Sequence, residues 1–235
     1  PIHSSMDVVQ MGTLENGTPI CCDKLAFESD GIVVCNRIKA HTGFIGELES
    51  GLVKMMVIGL GKHISTEGIH RLGFAEFSHI IPQAAAVCLE NAPIIFGVGI
   101  VENAYNQVAR IEAMLPDSIV EREKELLQYA KSIMGRLLVS EMDILVIDEL
   151  GKDISGGGMD SNVTGRAASG LRRSNAPTIG SIIVRDLTKK TAGNSVGMGM
   201  ADFMCKRAAE KVVLSSTYTN AITAGAIKGA RLPII

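Results

Sequence analysis

The stretch PDSIVEREKELLQYAKSIMGRLLVSEMDILVIDEL (residues 116–150) joins the clearest helical pattern of the chain to a strong strand pattern. Within residues 117–138, one face carries apolar residues at helical spacing, namely Ile119, Leu126, Leu127, Ala130, Ile133, Met134 and Leu137. Asp117 or Ser118 can cap this helix, and Ser118 and Glu121 have the spacing of a capping box. The aliphatic run at residues 142–150 predicts a buried strand directly afterwards.

The same two patterns alternate along the rest of the chain. Strands are predicted at residues 31–35, 93–100, 178–184 and 212–214, and helices at 44–61, 74–89 and 200–211. Asn16-Gly17 predicts a hairpin turn, and Pro82 is expected to kink or split its helix. Alternating strands and helices predict an α/β fold with mainly parallel sheets and flanking helices. A composition shift near Pro116 predicts two α/β units, residues 1–115 and 116–235.

Composition excludes several classes of protein. Of 235 residues, 46% are hydrophobic and 20% charged, which excludes a disordered chain. The net charge is −2 and no long basic run occurs, so nucleic-acid binding is not expected. No apolar run approaches the ~18 residues of a membrane span. The five cysteines show no CxxC spacing, which argues against a zinc knuckle and favours reduced thiols in a cytoplasmic protein.

Two polar loops follow predicted strands, at residues 36–43 and 148–160. Ligands of α/β proteins bind outside the carboxyl ends of strands, so both loops are candidate sites. The glycine runs at 59–61 and 156–158 do not match a P-loop or a GxGxxG motif. Flexible turns are the simpler interpretation of these glycines.

Lys54 and the histidines are the candidate catalytic or ligand-binding residues. His41, His63 and His70 have polar or Gly-rich neighbours, whereas His79 lies in an apolar helix and is expected to be structural. No HExxH motif occurs, which argues against a zinc hydrolase. Lys54, flanked by valine and methionine, is either a lysine extending from a helix face or a partly buried amine with a lowered pKa that can link to a carbonyl-type ligand.

Gly51 falls within the helix predicted at residues 44–61. Glycine in a helix interior costs ~1 kcal/mol relative to alanine, so a packing or ligand reason is expected for it.

The stretch HTGFIGELESGLVKMMVIGLGK (residues 41–62), followed by His70, resembles the lactate racemase family. The matching residues are His41, Gly46, Ser50, Gly51 and Lys54, and His70 lies sixteen residues beyond Lys54. Enzymes of this family use a nickel-pincer nucleotide, nickel pyridinium-3,5-bisthiocarboxylic acid mononucleotide.

The resemblance implies a role for each matching residue. Lys54 would attach the cofactor covalently through a thioamide, with Ser50 and Gly51 in the same cofactor-binding motif. His70 would be the one protein ligand of nickel, beside two sulfurs and a carbon of the cofactor, a donor set that suits square-planar Ni(II). His41 would act as a general acid and base on the substrate hydroxyl.

The resemblance also implies the reaction. A hydride would leave the α-carbon of a small 2-hydroxy acid and return to the opposite face, giving racemisation or epimerisation. Lys152 would hold the substrate carboxylate, and Glu149 would be a second substrate-facing residue. The segment between His41 and Lys54 is three residues longer than in lactate-specific members, with Glu47-Leu48-Glu49 as the insertion. The resemblance therefore implies a 2-hydroxy acid without specifying which one.

In terms of this family, residues 1–115 would be the later part of the N-terminal cofactor-binding domain. Residues 116–235 would be a linking helix and the C-terminal α/β domain. Because the chain begins with Pro1 and nothing in it matches the family's phosphate site and second catalytic histidine, we expect it to be truncated at both ends.

Expected partners are the 2-hydroxy acid and the cofactor-biosynthesis proteins, with neither nucleic acid nor membrane, and a homo-oligomer is left open. The alternative is a non-catalytic α/β module that binds a metabolite or nucleotide through residues 156–158, or an inactive fragment of such an enzyme.

Overall fold

A computed structural model describes residues 2–170, 176–223 and 227–235. The strands are β1 (Val8–Thr13), β2 (Pro19–Asp23), β3 (Ile32–Arg37), β4 (Ile94–Glu102), β5 (Val108–Met114), β6 (Glu141–Leu150), β7 (Thr178–Leu187) and β8 (Phe203–Met204). The helices are α1 (Lys24–Phe27), α2 (Leu52–Lys54, continued as a π-helix over Met55–Gly59), α3 (Lys62–Arg71), α4 (Phe77–Asn91), α5 (Ile119–Ile133), α6 (Ser161–Thr164), α7 (Lys206–Ala209) and α8 (Leu214–Thr223). None of the helices in these described ranges is long and apolar enough to cross a membrane.

The chain forms two compact units, residues 1–135 and 136–235. The first unit contains the β1–β2 hairpin and a three-stranded sheet in the order β3-β4-β5. Strands β3 and β4 are parallel, and β4 and β5 are antiparallel. The second unit contains a sheet in the order β6-β7-β8 whose strands are all parallel. The mixed α/β fold predicted from the sequence is therefore present, with mainly parallel strand pairs.

Helix α5 lies in the first unit, whereas the composition shift near Pro116 predicts it in the second. The physical reason is its apolar face, where Leu126 and Leu127 are fully buried in the first unit's core. Gly97 and Gly99 of β4 make room for neighbouring side chains, since a Cβ at Gly97 would lie 2.6 Å from Leu52 Cδ1. The sheet thus supports α2 and α5 together, and α2 carries Lys54.

Several local predictions are confirmed. The Asn16-Gly17 turn joins β1 and β2, with Gly17 at a φ of 84°. The strands predicted at 31–35, 93–100, 142–150 and 178–184 correspond to β3, β4, β6 and β7. All five cysteines are free thiols, and Cys21, Cys22 and Cys88 are buried.

Other local predictions are wrong or only partly right. The Ser118 hydroxyl donates to the carbonyl of Leu115 and makes no cap bond, because a 3₁₀ turn over Pro116–Ser118 leads into α5. Helix α4 continues through Pro82, so of the two predicted effects of this proline the split does not occur. Residues 212–214 form no strand, because Val213 accepts a bond from Thr217 at the start of α8. The helix predicted at 200–211 is reduced to α7, and β8 precedes it.

The strand predicted at residues 212–214 failed because the run is too short. A run of three apolar residues has no periodicity that separates a strand from the start of a buried helix.

Two glycines of the loop after β6 give a matched test of the second unit. Gly158 has a φ of 79°, and a Cβ there would collide with the carbonyl oxygen of Val196. A Cβ at Gly156 would meet nothing within 4 Å. We expect Gly158→Ala to lower the free energy of unfolding by about 2 kcal/mol or more. Gly156→Ala should change it by less than about 0.5 kcal/mol. Urea unfolding followed by circular dichroism measures both, and equal effects would contradict this packing.

Candidate functional site

The candidate site in the first unit begins at the carboxyl end of β3, where the sequence analysis expects a ligand. Lys39 and Ser50 pair through their backbones, with N···O distances of 2.9 and 3.2 Å. This pairing closes residues 40–49 into a loop and leads the chain directly into α2. His41 therefore lies at the base of a loop whose other end begins the helix that carries Lys54.

Glu49 organises this loop from inside the protein. Its side chain is fully buried and accepts hydrogen bonds from the amide of His41 at 2.5 Å and from the amide of Gly46 at 3.3 Å. The Lys131 ammonium of α5 pairs with the same carboxylate at 2.7 Å. A buried carboxylate needs such partners. Glu49 thus fixes the backbone on which the His41 ring is placed.

Three phenylalanines, Phe44, Phe74 and Phe77, form one packed group, the phenylalanine cluster. Their ring centroids lie 4.9 to 6.3 Å apart. His41 packs on Phe44 at 4.5 Å, and His70 packs edge-on to Phe77 at 5.0 Å. Both histidines also contact Phe74. Two histidines separated by 29 positions of sequence therefore share one aromatic surface.

Lys54 reaches the same surface. Its ammonium lies 5.5 Å from the centroid of the Phe44 ring, a cation–π distance. Burial lowers the pKa of Lys54 to about 8, although the nearby Glu49 carboxylate raises it. Near neutral pH a useful fraction of this amine is thus unprotonated and nucleophilic. The interpretation of Lys54 as a partly buried amine fits the structure better than that of a solvated lysine.

The helix that carries Lys54 departs from α-geometry immediately after it. Met55–Gly59 form a π-helical turn, closed by the amide of Leu60 donating to the carbonyl of Met55 at 2.9 Å. Such turns are rare and occur frequently at functional sites.

The ring of His70 is oriented so that Nε2 can bind a ligand. Nδ1 lies 2.7 Å from the carbonyl oxygen of Thr66, and because a carbonyl only accepts, Nδ1 carries the proton. In this neutral tautomer Nε2 has the lone pair. Metal-ligating histidines commonly donate their other ring N–H to a backbone carbonyl in this way. His70 therefore has the arrangement of a histidine that can bind a metal through Nε2.

His41 has the opposite arrangement. Its Nδ1 accepts from the amide of Gly43 at 2.9 Å, so the neutral ring carries its proton on Nε2. In this state Nε2 of His41 donates a hydrogen bond, and it accepts a proton only in the other tautomer, which gives up the bond from Gly43. The two histidines on the phenylalanine cluster are thus held in different tautomers, which suits different tasks.

The packing reason expected for Gly51 is present in the structure. It precedes α2 rather than lying inside it, and a Cβ at this position would collide with the carboxylate of Glu123 on α5. The Gly51 carbonyl accepts from the side chain of Asn36 at 3.0 Å. For Ser50 the structure shows the backbone pairing with Lys39. The cofactor-binding role of both residues stays a prediction.

The second unit holds the other predicted residues. Glu149 is exposed and lies within β6, opposite Asp186 of β7, rather than in the following loop. The Lys152 ammonium donates to the side chain of Asn220 at 2.6 Å, and burial lowers the pKa of this lysine. The substrate roles of both stay predictions. Gly158 packs against the backbone at Val196, so close backbone approach is a sufficient reason for it.

Sequence reasoning missed the phenylalanine cluster, Glu49 and Glu123. A signal existed for the first, because three of the six phenylalanines of the chain fall within residues 44–77. Glu49 was visible only as an acidic residue in an apolar, Gly-rich stretch. Glu123 belongs to a helix rich in surface charge, and nothing in the spacing distinguishes it from the exposed Glu121.

Comparison with known proteins shows a likeness to a solved structure. No protein-family profile matches the chain, and no curated protein matches it either. The fold is similar to the lactate racemase apoprotein from Thermoanaerobacterium thermosaccharolyticum, with a TM-score of 0.44 and 20% identity over 76% of this chain. The match covers 42% of that racemase, so the chain spans less than half of its length.

Glu49 offers a test of the loop. Because Gln has no charge and cannot form the ion pair with the Lys131 ammonium, we expect Glu49→Gln to lower the free energy of unfolding by about 2 kcal/mol. The pKa of Lys54 should fall below its value of about 8, since the carboxylate that raises it is gone. Urea unfolding and pH-dependent acetylation of Lys54 measure the two effects. The control is Glu47→Gln on the exposed neighbour, which should change stability by less than about 0.5 kcal/mol. An unchanged Lys54 pKa in Glu49→Gln would contradict this account.

Proposed function

We propose that the chain belongs to a racemase or epimerase of a small 2-hydroxy acid that uses a nickel-pincer nucleotide. The observation that carries the proposal is the convergence of Lys54, His41 and His70 on one phenylalanine cluster. The sequence motif proposes these same three residues for attachment, acid–base chemistry and metal binding. Burial lowers the pKa of Lys54, and the bond to Thr66 fixes the His70 tautomer that leaves the lone pair on Nε2.

Lys54 would attach the cofactor. Formation of a thioamide needs an unprotonated amine, and burial supplies it by lowering the pKa of Lys54 to about 8. The Phe44 ring beside the amine offers a flat apolar surface against which a pyridine ring can pack. The helix end holds the amine on a rigid element, as a covalent anchor requires.

His70 would hold the metal. Within the described ranges, no group of three or more His, Cys, Asp or Glu side chains could hold a metal ion. A metal at His70 would therefore need most of its donors from another molecule, as the sulfur and carbon donors of a pincer cofactor provide. The Nδ1–H bond to Thr66 fixes the ring so that Nε2 presents its lone pair. When bound, the group would accept and return a hydride at the substrate carbon.

His41 would move the hydroxyl proton. The imidazole must be neutral and must accept at Nε2 when the hydroxyl is oxidised to a carbonyl, and it returns the proton from Nε2 afterwards. Accepting that proton at Nε2 requires the tautomer with the proton on Nδ1, so the ring would first give up the bond from the Gly43 amide. The Glu49 carboxylate holds the backbone of His41 and keeps the ring against Phe44.

The test follows the hydrogen on the substrate carbon. The chain, in its complete reading frame and co-expressed with the cofactor-biosynthesis proteins, is incubated in D₂O with single enantiomers of several 2-hydroxy acids. Chiral chromatography with mass detection should show the opposite enantiomer without deuterium at the α-carbon. Deuterium at that carbon would show proton exchange instead of hydride return, and no conversion of any member would favour the non-catalytic module.

A further inference from the structure

Glu123 is a buried acid that the functions described so far do not use. It lies on α5 and is only 1% exposed. Its Oε2 accepts from the amide of Val53 at 3.0 Å, and the amide of Leu52 also bonds to this carboxyl group. These are first-turn amides of α2, which lack partners within a helix. The residue before α2 is Gly51, which has no side chain to cap them. Glu123 therefore caps the helix of Lys54 from a neighbouring helix.

The cap and Gly51 fit together as one arrangement. A Cβ at Gly51 would collide with both the Oε1 and the Cδ atoms of Glu123. Any residue other than glycine at this position would displace the carboxyl group from the amides of α2. This explains why the motif residue three positions before Lys54 is a glycine although its φ of 179° suits any residue.

Burying this carboxyl group costs stability, which argues that Glu123 does more than cap a helix. Glu123 Oε1 is buried and has no hydrogen-bond partner among the described residues. Burial raises the pKa of Glu123 to about 7, although the bonds from Val53 and Leu52 lower it. A serine or aspartate at position 51 would cap the same amides from the helix's own end without a buried acid. A buried, partly unsatisfied polar group of this kind calls for a specific reason.

We propose that Glu123 is a positioning residue for Lys54, fixing the first turn of α2 so that the amine stays in its apolar place beside Phe44. Val53, which receives the cap, is the residue directly before Lys54. A first turn without its cap would fray and let the lysine turn toward solvent. The geometry of the cap does not depend on the proposed function. Only its consequence for cofactor attachment rests on that function.

The charged groups around Lys54 also affect its pKa, so the test of the Glu123 cap must take them into account. Glu49 lies near the amine and raises its pKa, and Lys131 of α5 pairs with Glu49. Glu123 approaches from α5 through the amides of α2. A pH profile of Lys54 therefore reports mainly on its burial as long as the Glu49–Lys131 pair is intact.

The experiment is competitive acetylation of Lys54 with acetic anhydride from pH 6 to 11, followed by peptide mass spectrometry, on the chain without any cofactor. In the wild-type protein we expect a midpoint near 8. Glu123→Met keeps an unbranched side chain of similar length and removes the acceptor, so the midpoint should rise by about one unit or more toward that of a solvated lysine. Glu123→Gln keeps an acceptor oxygen and should restore a midpoint near that of the wild type. Glu121→Gln on the exposed side of α5 is the matched control and should change nothing.

An unchanged midpoint in Glu123→Met, or a midpoint in Glu123→Gln as high as in Glu123→Met, would overturn the proposal. Gly51→Ala provides a second route, because its Cβ displaces the carboxyl group while Glu123 is still present. Gly51→Ala alone should raise the acetylation midpoint of Lys54. Combined with Glu123→Met, it should cause no further rise. An additive effect would also overturn the proposal. Because acetylation needs no cofactor, a wild-type protein that never acquires the cofactor would disprove the proposed function and leave this result unaffected.

Discussion

Lys54→Arg should abolish covalent attachment of the cofactor while leaving the fold intact. Arginine keeps the positive charge, the apolar stem and the cation–π contact with Phe44. Its guanidinium does not lose a proton near neutral pH, so it cannot act as the nucleophile that a thioamide bond needs. We therefore expect no cofactor mass on the variant. Intact-mass spectrometry after co-expression with the biosynthesis proteins measures this directly.

The matched control for this variant is Lys62→Arg, eight residues along in the same motif. Lys62 pairs with the carboxylate of Asp23 at 2.9 Å, and arginine can keep that pair. It should acquire the cofactor as the wild type does. A cofactor mass on Lys54→Arg, or its loss in Lys62→Arg only, would place the attachment elsewhere.

His70→Ala should remove nickel and keep the cofactor's organic part attached at Lys54. Loss of the imidazole removes the one protein donor, and we expect nickel to bind at least about 10-fold more weakly. Elemental analysis of the purified protein, set against its intact mass, separates loss of metal from loss of cofactor. The bond from Nδ1 to the Thr66 carbonyl also disappears, but it is partly exposed and should have little effect on stability.

His63→Ala is the control for this prediction, because His63 lies on the same helix α3 and is exposed. It should keep its nickel. Equal nickel content in the two variants would contradict the assignment of the metal to His70.

The sequence predicted the elements whose patterns are long and regular. The helix α5 and the strands β3, β4, β6 and β7 carry enough apolar residues for the period to be clear. The assignment of α5 to a unit was not predictable in the same way, because an amphipathic helix does not specify which core its apolar face enters. That depended on the glycines of β4, which allow α2 and α5 to approach the sheet.

In the candidate site, too, the sequence predicts some of the residues and not others. The motif identified Lys54, His41 and His70, and the depressed pKa of Lys54 could be expected from its apolar neighbours. The partners that give these residues their properties come from distant positions, since Phe74 and Phe77 follow α3 and Glu123 lies 69 residues beyond Lys54. A contact between residues so far apart has no local signature, so only the folded structure reveals the Glu123 cap and the shared aromatic surface.

The central claim is that Lys54 anchors a nickel-bearing cofactor at the phenylalanine cluster. The most direct measurement is peptide mapping of the wild-type protein by tandem mass spectrometry after co-expression with the cofactor-biosynthesis proteins, with nickel determined on the same sample. The account predicts the added mass on Lys54 and about one nickel per modified chain. An unmodified Lys54 in a protein that is folded and free of nickel would contradict it.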